Sequence, residues 1–180
     1  MSKIRGPKSN ANRRNRATRR TDRLAHVPPH SLIDYAASPA DLTIYLEFCN
    51  SRSVEGEKKL FDALVETIPM YGDETNIIHL RMILSVLPKD NERVNRRDVL
   101  ARVVEIINDF PHIKEMNFCL DIHHYDLEQV RCASAIYGLK FPDWTFDMKV
   151  EDRDAQRILY NSRIDRQLRA AEAKALQRDS

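Results

Sequence analysis

The chain has 180 residues, 42% hydrophobic and 31% charged, with a formal net charge of +2. That length suits one domain with a sizeable core plus tails, and no run of about 18 apolar residues exists to span a bilayer. Cys49, Cys119 and Cys132 form no CxxC pair, which argues against a disulfide framework or a cysteine zinc site. The N-terminus lacks the apolar core of a signal peptide, so the expected location is intracellular, nuclear or cytoplasmic, with no membrane partner.

The small net charge hides an asymmetry. Residues 1–23 hold nine basic residues against Asp22, a net of +8, and residues 151–180 hold seven basic and six acidic, a net of +1. The stretch between them, 24–150, therefore carries −7. A basic arm is joined to an acidic body.

In chain order, residues 1–23 have too few apolar side chains to offset the entropy of ordering them, which predicts a disordered arm. His26 to His30, with Pro28 and Pro29, reads as an extended hinge. Ser31 to Asp34 offers a short capping-box helix start before Pro39. Leu42, Ile44, Leu46 and Phe48 alternate with Thr43, Tyr45 and Glu47, the period of two that marks a half-buried strand. Leu60, Phe61, Leu64, Val65 and Ile68 form the stripe of a helix over 53–68, ended by Pro69 and Gly72. Residues 76–87 alternate again, with Ile77 and Ile83 intruding on the polar side. Asn95 and Asp98 cap a helix that runs to Phe110 and stops at Pro111.

Met116 to Val150 reads as strand, helix, strand. Met116, Phe118, Leu120 and Ile122 share one side of the first strand, and Trp144, Phe146, Met148 and Val150 one side of the second. Between them Asp126 with Gln129 forms a capping box, Leu127, Val130, Ala133 and Tyr137 take helical spacing, and Gly138 supplies the stop. Residues 152–177, rich in Ala, Arg, Glu, Leu and Gln without Gly or Pro, predict a long helix of about 39 Å. Its seam is Ala155, Ile158, Leu159, Leu168, Ala171 and Ala175, with its first turns docked and the rest exposed to a possible protein partner.

The expected fold is a two-layer α/β domain of about four strands alternating with amphipathic helices, over residues 31–150. An arm and hinge over 1–30 precede it and the C-terminal helix over 151–180 follows. Parallel strands covered on both faces should be nearly all apolar; these have a polar side, so the helices belong mainly on one face. If residues 42–48 and 78–86 are helices instead, the alternative is an all-α helical array.

Two places attract chemistry. Arg13, Arg14, Arg16, Arg19 and Arg20 suit sequence-tolerant phosphate binding or recognition by an import receptor. Asp121, His123 and His124 lie where a strand ends, the position at which open α/β sheets bind ligands. No third ligand at metal spacing accompanies them, and helix cap and loop explain the same residues, so they stand as a possible ligand site with no metal. The polar sheet side, with Tyr45 its single stacking aromatic, is expected to be solvated or covered by the C-terminal helix. With no P-loop, GxGxxG or GxSxG among four glycines, no catalytic residue and no cofactor is assigned.

The segment IKEMNFCLDIHHYDLEQVRCASAIYGLKFPDWTFDMKVE resembles the strand–helix–strand segments of uncharacterised fungal proteins grouped with F-box-like sequences, over about residues 75–151. The chain shows no recognisable F-box at its front. The resemblance implies the α/β fold and a non-catalytic role. The functional expectation is a non-enzymatic binding protein whose arm contacts nucleic acid or directs nuclear import. A protein-interaction adaptor acting through the α/β domain or the C-terminal helix is the alternative, and a metal or acid/base site at Asp121 and His123 the third reading.

Overall fold

The computed structural model describes residues 24, 26–48, 53–84, 95–123, 130–151 and 153–177. A six-stranded sheet runs through it in chain order: β1 (Ile33–Ala36), β2 (Asp41–Phe48), β3 (Ile77–Leu84), β4 (Glu115–Ile122), β5 (Trp144–Val150) and β6 (Gln156–Arg157). Strands β2 to β5 are all parallel, and β1 and β6 add antiparallel edges. Residues 42–48 and 77–84 are strands, so the helical array falls and the α/β class holds.

Six strands replace the expected four, and each added strand pairs on an edge of the parallel sheet. The Ser31–Asp34 capping box does not start a helix. Ile33 and Tyr35 instead pair with Ile44 and Leu42 of β2, placing apolar side chains beside the core. Tyr35 also donates from its hydroxyl to the Glu74 carbonyl at 3.1 Å. Strand β6 is two residues long and carries no periodic signal; it pairs with β5 at Asp147↔Arg157 and Met148↔Gln156.

Among the described residues, the α-helices with complete bounds are α1 (Val54–Thr67), α2 (Arg96–Asn108) and α3 (Arg163–Leu176), with 3-10 segments at Ile68–Glu74 and Cys132–Gly138. Ser53 caps α1 by accepting from the Gly56 amide, and Asn95 caps α2 by accepting from the Arg97 amide. Leu42, Ile44, Leu46 and Phe48 of β2, and their counterparts on β3 and β4, are at most 2% exposed and pack against Phe61, Leu64, Val103 and Ile107 of the helices. The intervening strand residues are half-buried. The sheet thus gives one face to the helical layer, as the alternation requires.

One helical expectation is refined and one corrected. In the segment before β5, Val130 and Arg131 are α-helical and lead into a 3-10 helix at Cys132–Gly138, in which Ala133, Ser134, Ala135 and Ile136 are all buried. Its small side chains let the backbone wedge between α2 and α3, which periodicity does not encode. Asp126 and Gln129 lie outside the described residues. The C-terminal helix begins at Arg163, not near 152, and spans 14 residues, about 21 Å. Residues 156–157 are taken into the sheet, Asn161 has φ 63°, and Ser162 caps α3 by accepting from the Asp165 amide. The docked part also differs from the expected one: Ile158 packs against the core but Leu159 and Tyr160 are exposed, and further along Asp165, Leu168 and Glu172 are buried.

Candidate binding face

The second face of the sheet is polar and forms rows across the parallel strands. One row is Thr43, His79, Asn117 and Thr145; the next is Tyr45, Arg81, Cys119 and Asp147; the third is Glu47, Ile83, Asp121 and Lys149. Each parallel pairing aligns like-facing residues about 4.8 Å apart, so every row is a ladder of side chains held by backbone register.

Contacts within and between rows order these side chains. The Thr145 hydroxyl donates to the Asn117 side-chain oxygen Oδ1 at 2.5 Å, and Asn117 Nδ2 donates to Glu115 Oε1 at 3.0 Å. His79 Nε2 stands 3.2 Å from Asp41 Oδ2. The Arg81 guanidinium lies 6.0 Å from the Tyr45 ring centroid. Arg157, arriving on β6, forks onto Asp147 with contacts of 2.6 and 3.1 Å. Burial pushes the Cys119 thiol up; Arg81 and Lys149 pull it down while Asp121 and Asp147 add to the rise. The four charges surround Cys119, and its protonated form makes it a poor nucleophile.

At the carboxyl ends of β3 to β5 the face opens into a hollow of about 330 Å³ lined by Ile83, Leu84, Asp121, Ile122, His123, Lys149 and Glu151. Asp121 lies within β4, opposite Ile83 and Lys149, and His123 is exposed just past the strand end. These two sequence candidates do come together at one end of the face. His124 lies outside the described residues, as do Arg13, Arg14, Arg16, Arg19 and Arg20. Among the described residues, no three His, Cys, Asp or Glu side chains converge at metal-binding distance.

Of the two expectations for the polar face, solvation or cover by the C-terminal helix, the second is corrected, because α3 packs on the helical layer. Glu172 accepts from Ser134 at 2.9 Å and pairs with Arg97 at 3.0 Å. Asp165 accepts from Tyr137 at 2.7 Å. Sequence reasoning placed Thr43, Tyr45, Glu47 and Asp121 of the face correctly but gave no role to Asp147 or Arg157. Asp147 was already visible on the polar side of its strand. Arg157 had no signal, because a two-residue strand has no period.

The chain matches no protein-family model, no curated protein and no solved structure. Among the described residues, no helix is long and apolar enough to cross a membrane.

Proposed function

We propose that this is a non-enzymatic binding protein whose open sheet face receives a protein ligand. The observation that carries this reading is the sequential parallel sheet with its helices on one side, which leaves a register-ordered polar face. Stacked strand–helix units commonly use such faces for binding. The face mixes carboxylates with Arg81, Lys149 and Arg157 around Tyr45, a composition suited to an extended polar peptide rather than to phosphate. The resemblance to fungal F-box-like proteins over residues 75–151 supports a non-catalytic role. The adaptor reading accordingly passes from the C-terminal helix to the sheet, since Leu168 and Glu172 of α3 are buried against the domain. Affinity capture with full-length protein tests it: partners should be lost with Arg81→Glu and kept with Arg102→Glu on α2. Retention of all partners by Arg81→Glu defeats the reading.

A second contact belongs to the arm. Its net charge of +8 favours nucleic acid or an import receptor, whereas the described residues sum to 16 basic against 20 acidic and repel phosphate. Full-length protein should bind a short single-stranded DNA with steep salt dependence, and a 24–180 chain should not. Equal binding by both would remove the arm from the proposal.

A further inference from the structure

We propose that the basic arm, residues 1–23, docks in cis on the polar sheet face, which competes with nucleic acid for it. The competition rests on the reading of the arm as a nucleic-acid contact; the docking itself does not.

Charge selects the face. Six carboxylates belong to it (Asp34, Asp41, Glu47, Glu115, Asp121 and Asp147) against three cations, Arg81, Lys149 and Arg157. The face is therefore −3, while the other described residues hold 14 acidic and 13 basic groups, a net of −1. On the helical side α3 is itself cationic, with Arg163, Arg166, Arg169 and Lys174 against Asp165 and Glu172. An arm of +8 is attracted to the sheet and opposed at α3. An arginine fork is suited to the carboxylates of this face.

Reach permits the contact. Leu24 and Val27 pack against the core just ahead of β1, which flanks β2 at the sheet edge. The five interstrand gaps from β1 to β6 span about 24 Å. By length alone, 23 residues extend to at most about 76 Å, and a random-coil tether of that length has a root-mean-square span of about 26 Å. Tethering at that length supplies an effective concentration of about 1 mM, so an intrinsic Kd near 1 mM already half-fills the face. Non-specific nucleic-acid contacts, with Kd of about 10⁻⁴ to 10⁻⁶ M, are tight enough to compete.

Carbodiimide cross-linking of the full-length chain tests docking, because it joins amines to touching carboxylates. At low salt, Lys3 and Lys8 should link within one chain to Asp41, Glu47, Glu115, Asp121 or Asp147. A 20-nucleotide single-stranded DNA should abolish those links. Links mainly to Glu55, Asp62, Glu66 or Glu105 on the helices, or no arm links at all, overturn docking. Neutralising the face by Glu47→Gln, Glu115→Gln and Asp121→Asn should tighten DNA binding by about two- to tenfold, the factor set by an arm that is half to nine-tenths docked. The matched helical set Glu55→Gln, Glu66→Gln and Glu105→Gln should not. Equal effects of the two sets overturn the competition. Arm links to the helices with DNA binding still arm-dependent sink this inference alone; DNA binding that ignores the arm sinks the underlying reading.

Discussion

His30 is the residue through which moderate acidity reaches the fold. It is half-buried, and its Nδ1 accepts the Leu32 amide at 3.2 Å at the entry to β1, so the bond needs a neutral ring. Burial lowers its pKa, with the Leu60 carbonyl acting the other way. The unfolded chain therefore binds this proton first, near pH 6.5. The stability His30 contributes is complete above that pH and is lost as pH falls through the lower folded value. Urea midpoints should fall between pH 7 and pH 5, and His30→Gln should flatten that segment of the curve. Cys132 gives a second prediction. Burial, opposed by Arg96, pushes its thiol up to about 12. At pH 8 it should react with iodoacetamide roughly 10³ times more slowly in the native protein than in urea, as read by peptide mass spectrometry.

At the scale of elements, caps and alternation were readable because their causes are local. Ser53, Asn95 and the strands at 42–48 and 116–122 each declare themselves within a few residues. The attachment of α3 was not readable, because it depends on side chains far apart in sequence. Leu168 is its apolar anchor, and Arg97 and Ser134 meet Glu172 across 75 and 38 residues. Leu168→Ala should cost about 2–4 kcal/mol. Arg97→Ala should cost about 2 kcal/mol, below the 3–5 of a fully buried pair because Arg97 keeps some exposure. Glu172→Gln should be milder than either change, since the amide oxygen can still accept from Arg97 and Ser134. Hydrogen exchange along 163–176 would rank the three. Burial alone would raise the Asp165 carboxyl, but hydrogen bonds from Arg169, Tyr137 and the Asn161 amide hold it below the usual carboxylate range. Its contribution is present above about pH 4 and fades as pH falls through the lower folded value. The docked helix should therefore persist at pH 5 and loosen in stronger acid.

Across the whole molecule, one core joins all four parallel strands to the helical layer. Phe118, fully buried and 5.0 Å from the Phe146 ring centroid, lies within it. Phe118→Ala should cost about 3–5 kcal/mol. Trp144, the single tryptophan, stacks edge-on to Tyr137 at 5.5 Å and joins β5 to the 3-10 segment. Its fluorescence and far-ultraviolet circular dichroism should report one coincident unfolding transition. Two separated transitions would mean that the units unfold independently.

By itself, the sequence determined the α/β class, a one-sided sheet and the charge contrast between arm and body. Alternation and composition are local properties, and hydrophobic burial makes them binding on the backbone. Only the tertiary structure decided the rest. Short edges β1 and β6 exist because β2 and β5 offer unpaired backbone, not because their own residues demand it. The turn after Ala133 tightens because two helices close on it. Helix α3 leaves the polar face open because Leu168 and Glu172 find partners on the other side. Each outcome is fixed by contacts between distant segments, which no window along the chain contains.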